Sequence, residues 1–351
     1  MHRLSILLLS EGIEMNRKAI LFTAAALVLL AAAVPLSFAV GARSIPLRDL
    51  VLTLRGDEVN TLYQPILEKR VIRTVLGLTA GCALGISGCL MQSVTRNPIA
   101  DPSILGVNTG ASFFVVSGIA FAGIHTTAQY IWFALAGSAF TAFLVFGIAS
   151  FIPGSGGGTF SNVNPIRLAL SGAAVSTAFS SLISTVMLPR TNVMQVFRFW
   201  QTGSIGSGTW EGLRMVMPFL AAGALLAVIL IPSLNVLSLG DDIALGLGVK
   251  VTRTRALGAL AGILLCGATT AVTGPIGFVG LMIPHLVQVF CGNDLKIKMP
   301  LSAVGGAALL LLADVAGRII GRPGEMEVGI VTAFIGAPVF IMIVRKARVG
   351  K

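Results

Sequence analysis

The sequence predicts an all-α integral membrane protein of about ten transmembrane helices. Three observations carry this. Of 351 residues, 55% are hydrophobic and only 11% charged, with a mean hydropathy of +0.91; a soluble domain has about 25% charged residues. The apolar residues fall into runs close to the roughly 20 residues that a spanning helix needs. The basic residues that give the net charge of +11 stand in short connectors between these runs, where cytoplasmic loops meet anionic headgroups.

Ten runs qualify in order: 19–40, 71–93, 103–122, 128–151, 166–188, 212–232, 255–273, 275–291, 300–320 and 327–344. The first follows Arg17-Lys18. It is longer than the roughly 7–15 residues of a cleaved signal core, so it reads as an anchored helix. Residues 1–16 read as a leader, disordered or untranslated, with Met15 a second start. Residues 17–345 form one transmembrane domain and 346–351 a basic cytoplasmic tail. Only Gly274-Pro275 separates the seventh and eighth runs, so that boundary reads either as a break or as a kink in one helix. Ten spans put both termini on one side, and the basic tail puts that side inside. Gly77, Gly81 and Gly85 recur every four residues and leave a bare stripe on which another backbone can lie; Gly258 and Gly262 offer the same.

Several classes of chemistry are missing. No Gly-x-x-x-x-Gly-Lys-Ser/Thr loop exists, and the glycine-rich stretch 154–158 lacks the lysine, so the chain has no ATPase site of that type. Cys82, Cys89, Cys266 and Cys291 are scattered and read as small buried hydrophobes. His2, His125 and His285 have no metal-site spacing, so neither metal nor cofactor is expected. No aromatic-basic pattern suggests nucleic acid. Asp314, four residues before Arg318, is the clearest charge inside a span and reads as an ion pair. His285 reads as a packed histidine rather than a proton relay.

Three connectors have more pattern than a linker needs. Arg96-Asn97-Pro98-Ile99-Ala100-Asp101-Pro102 has two prolines and two capping side chains, which make a rigid turn. In segment 234–255, Asp241 and Asp242 can cap a short helix ending near Gly246 or Gly248. The third is Gly274-Pro275-Ile276-Gly277-Phe278-Val279-Gly280-Leu281, followed by Pro284-His285.

At these motifs the chain resembles the FecCD-type permease subunits of bacterial ABC importers for iron-siderophore, haem and cobalamin. The resemblance runs from about residue 45 to 345. Its motifs come in family order: Arg70 and Arg73, the 96–102 turn, Leu-Gly-Val at 105–107, Phe-Trp-x-x-Gly-Ser at 199–204, 234–240, 274–281, Pro284-His285, Leu-Ala-Asp at 312–314 and Gly-Ala-Pro at 336–338. The loop 152–165, rich in Gly, Ser and Asn, departs from the pattern.

The resemblance implies a type II ABC importer permease fold and a chain that is not itself an enzyme. It implies a second permease subunit, identical or paralogous, two ATP-binding subunits that hydrolyse ATP, and an extracytoplasmic substrate-binding protein, all at the bacterial or archaeal cytoplasmic membrane. An iron-siderophore is the expected cargo, with cobalamin or haem as alternatives. Leu239, Gly240, Asp241, Asp242, Ala244, Gly246 and Gly248 fall in the segment that couples to the ATPase. Arg70, Arg73 and Arg318 match positions that meet the binding protein; from sequence alone they read as interfacial arginines. Ser171, Gly172, Ser176, Thr177 and Ser180 of the fifth span match the pathway lining; from sequence alone such small residues read as helix packing. An ion-coupled secondary transporter and a structural membrane subunit are the competing classes.

Overall fold

The computed structural model describes residues 2–41, 64–151 and 165–349. The stretch between the first two expected spans and the 152–165 loop lie largely outside the described residues. The described residues form twelve α-helices: α1 (His2–Ala39), α2 (Gln64–Thr95), α3 (Val107–Ser117), α4 (Thr127–Phe151), α5 (Pro165–Met187), α6 (Thr191–Gln201), α7 (Trp210–Leu237), α8 (Asp241–Gly246), α9 (Val251–Thr273), α10 (Val279–Cys291), α11 (Leu295–Ile320) and α12 (Val328–Val349). Seven are long and apolar enough to cross a membrane, and α3, α10 and α12 contribute three shorter apolar stretches, so the ten expected runs are all helical. Among the described residues there is no strand. Helix α1 begins at His2 and so includes most of the segment assigned to a leader.

Helices α2 and α9 are the most enclosed spans, and α1 the most peripheral. The glycine stripe explains the centre. A Cβ on Gly81 would lie 2.6 Å from the Ala307 Cα, and a Cβ on Gly85 would meet the Ser302 carbonyl, so α2 and α11 touch backbone to backbone. Ser87 Oγ donates to the Gly262 carbonyl at 2.6 Å and ties α2 to α9. Gly85→Val is therefore expected to lower the melting temperature of the detergent-solubilised chain, by an overpacking cost of about 1–3 kcal/mol or more. Gly147→Val, with open space around it, should melt like the parent. Equal melting of the two variants would remove the close contact as a requirement.

The turn after α2 is capped as the sequence implies. Asn97 Oδ1 accepts from Ile99 N at 3.1 Å and Asp101 Oδ1 from Ser103 N at 2.9 Å. Gly106 then takes φ 72° and starts α3. The boundary at Gly274 is a break, not a kink: α9 stops at Thr273, Gly274 has φ 71° and ψ 178°, and α10 begins only at Val279. Ser204 N donates to the freed Thr273 carbonyl at 2.6 Å. Phe278 holds φ 69°, and its ring lies where Gly336 has no side chain.

Candidate functional site

Three features lie along the bundle: an ion-pair network at one end, a cavity between α3, α5 and α6, and the short helix α8 at the other end.

The network centres on Asp314, which is fully buried. Arg73 donates to it from Nε at 3.0 Å and from Nη2 at 2.7 Å, and reaches Glu325 with Nη1 at 2.5 Å. Arg318 completes the expected i,i+4 pair at 2.8 Å. Arg318 is only 1% exposed and Arg70 only 6%. The sequence placed Arg70, Arg73 and Arg318 on the edge of one outward surface; the structure turns Arg70 and Arg318 inward instead. The reason is the end of α1, whose last carbonyls have no partners within the helix. Arg70 Nη1 donates to the Phe38 carbonyl at 2.6 Å, and Arg318 Nη1 donates to those of Ser37, at 2.9 Å, and Val40. Of the network's members, Glu325 is the exposed one.

The cavity has a volume of about 620 Å³ and is lined by Asn108, Thr109 and Ser112 of α3, Ser180, Ile183, Ser184 and Met187 of α5, Leu188 of the turn that follows, Met194 and Gln201 of α6, and Pro275. None of these is charged. The Asn108 carbonyl oxygen accepts from Thr270 Oγ1 at 2.8 Å, which fixes the amide and leaves its N–H groups for the cavity. Of the five residues expected to line a pathway, Ser180 lines this cavity. Thr177 is exposed on the same face and Ser176 is half-buried. Ser171 and Gly172 are buried, and the Gly172 carbonyl faces the Gly106 turn, so neither lines this cavity. The hydroxyls of Thr177, Ser181, Ser184 and Thr185 are spent on carbonyls one turn back, at 2.9 to 3.1 Å, which presents methyls and methylenes to a passing solute.

At the other end, α8 forms where the sequence places it, with a different cap. Its N-cap is Gly240, at φ 129° and without a side-chain bond, rather than Asp241 or Asp242. Asp241 instead accepts from Arg255 Nη2 at 2.9 Å and from Arg96, so α8 is clamped to the end of α2 and the start of α9. Asp242 stands beside it in the first turn. Ala244 is fully buried, whereas Leu239, Ile243, Leu245 and Leu247 are exposed. Gly246 has open space around it, and Gly248 takes φ 80° to leave the helix. Nearby, Asn235 Nδ2 donates to Asp294 Oδ1 at 2.7 Å, and Asp294 caps α11 through Lys296 N. These donors, the Lys296 N–H first, hold the Asp294 carboxyl below the usual carboxylate range.

Helix α6, Met194, Gln201 and Asn108 were not singled out from the sequence. The only sign of α6 was the Phe-Trp-x-x-Gly-Ser motif at its end, since eleven residues of mixed polarity are too few for a spanning run.

A multi-helix membrane bundle with an uncharged cavity and a clamped connector at one end has the build of a transport permease. The sequence matches the FecCD transport family over residues 26–346, and the chain belongs to that family; it is a multi-pass subunit of the cytoplasmic membrane, as the resemblance implied. It is 42% identical over 325 residues to the ferric enterobactin transport system permease protein FepD of Escherichia coli, covering 92% of this chain and 95% of that protein. It is 40% identical over 313 residues to the Fe(3+)-citrate import system permease protein YfmD of Bacillus subtilis, covering 89% and 91%. A solved metal-chelate type ABC transporter in an inward-facing conformation superimposes with a TM-score of 0.76 at 27% identity, covering 93% of this chain and 99% of that one.

Proposed function

We propose that the chain is one of two permease subunits of an ATP-driven importer that passes an iron-siderophore from an extracytoplasmic binding protein into the cytoplasm. The uncharged cavity is the observation that carries this. A bulky chelate has to enter and leave without being trapped, and a wall of hydroxyls, thioethers and two amides gives it contact without a fixed charge. The absence of ionisable groups from that lining also speaks against an ion-coupled carrier. Among the relatives, the ferric enterobactin permease at 42% identity is more similar than the hemin permease of Yersinia pestis at 32%, which favours a siderophore over haem.

The energy enters through ATP-binding subunits that dock on the exposed apolar side chains of α8. The second permease packs against the open faces of α5 and α12, where Leu170, Leu182, Phe334 and Ile341 are exposed. The binding protein docks at the Asp314 end, whose shape Arg70, Arg73 and Arg318 maintain. Uptake of radioactive ferric siderophore by cells lacking the gene, complemented with variants, tests the reading. Ser180→Trp fills the cavity and is expected to abolish uptake at normal membrane abundance. Full uptake by that variant, or uptake that persists without ATP hydrolysis, would overturn it.

A further inference from the structure

We infer that the chain holds a binding site for the glycerol phosphate headgroup of an anionic phospholipid, at the α8 end of the bundle and apart from the cargo cavity. A pocket of about 220 Å³ opens there between the ends of α2, α7, α10 and α11. Its walls include Gln92, Ser93, Gln288, Asn293 and Lys298. Lys298 is 3% exposed, and its ammonium donates to Gln288 Oε1 at 2.9 Å. Among the described residues no carboxylate pairs with it; Asp294, one turn before it, is taken up by Asn235 and the Lys296 N–H. A buried cation without an anion is costly, so the site calls for one from outside.

A second group points the same way. Gln92 is buried, its amide nitrogen donates to the Leu281 carbonyl at 3.0 Å, and its Oε1 has no partner. The pocket thus offers an ammonium for a phosphate and a buried acceptor for a hydroxyl. A phosphate esterified to glycerol supplies both. Chain neighbours of the lining residues, Val289, Phe290 and Ile297, are exposed and apolar, which suits acyl chains running up the outside of α10 and α11. Basic pockets between helices at the cytoplasmic side are suited to anionic headgroups.

The test uses the full-length chain, delipidated in detergent and titrated with phosphatidylglycerol, phosphatidic acid, phosphatidylcholine or soluble glycerol 3-phosphate, with bound lipid counted by native mass spectrometry and melting followed in parallel. Phosphatidylglycerol is expected to be retained and to raise the melting temperature. Lys298→Gln should weaken retention about tenfold, the factor of one charge-assisted contact. Gln92→Met, close in shape, should lose the preference for phosphatidylglycerol over phosphatidic acid while still binding both, and it keeps the test open if the lysine variant does not fold. Equal retention of phosphatidylcholine, or equal phosphatidylglycerol binding by parent and Lys298→Gln, would overturn the site. So would a full melting shift from glycerol 3-phosphate alone, which would make the ligand a free anion. Protection appearing only when an ATP-binding subunit is added would overturn it too, by giving the pocket to that partner. None of these readouts depends on cargo uptake, so the site stands or falls separately from the transport function.

Discussion

Asp314→Ala is expected to destabilise the folded chain by about 3–5 kcal/mol, because it leaves buried guanidiniums without their anion. Asp314 is fully buried and takes hydrogen bonds from Arg73 and an ion pair from Arg318. Arg318 has no room to compensate: its Nη atoms already serve the end of α1, and its Nε has no partner. Arg73 keeps Glu325, which is exposed, and an exposed pair is worth only about 0–1 kcal/mol. The loss should therefore fall mainly on the packing of α1 against α2 and α11. Unfolding in detergent, followed by the reactivity of the buried Cys89 and Cys266, measures it. A change below about 0.5 kcal/mol, the range of neutral surface substitutions, would show that the network does not hold the helices together.

The double variant Ile243→Asp, Leu247→Asp should insert and fold normally yet fail to recruit the ATP-binding subunits. Both side chains are exposed on or beside α8, so the free chain loses little. In a docked complex each would bury an aliphatic side chain worth about 1.5–3 kcal/mol, so losing both weakens association by at least about 100-fold. Co-purification of the ATPase with tagged permease reads this directly, and unchanged recovery would remove α8 as the docking element. Substitutions at Gly240 or Ala244 test something else. Gly240 sits at φ 129°, where a side chain is strained, and Ala244 is fully buried, so bulk there damages the connector itself.

The spans were legible because a bilayer demands length and apolarity, and both are local properties. A close backbone contact on α2 was legible from glycine spacing, though not that its partner is α11, and the 96–102 turn was legible from the reach of Asn97 and Asp101. Which of the small residues of α5 face the cavity was not legible, and helical geometry says why. At about 100° per residue, Ser171 and Ser180 stand roughly 180° apart, so the cavity that takes Ser180 cannot take Ser171. Small residues mark close approach and open lining alike, and only packing separates them. The inward turn of Arg70 and Arg318 was invisible for a different reason: their partners are backbone carbonyls of α1, which carry no sequence signal. Lys298 and Gln92 were hidden because single polar residues in an apolar run announce burial without naming a neighbour.

Helix α2 joins the two ends of the molecule. From Arg73 to Thr95 it is one uninterrupted helix of about 33 Å, ending one residue before Arg96. At one end it is pinned to Asp314, and just past its other end to the connector through Asp241. Between these pins Gly81 and Gly85 lie against the backbone of α11, and the Leu311 side chain of α11 seats on Gly77. In mechanical terms α2 is a strut: any displacement of the connector would reach the far ion pairs through one stiff rod, braced on the way by Ser87 against Gly262 and Gln92 against Leu281.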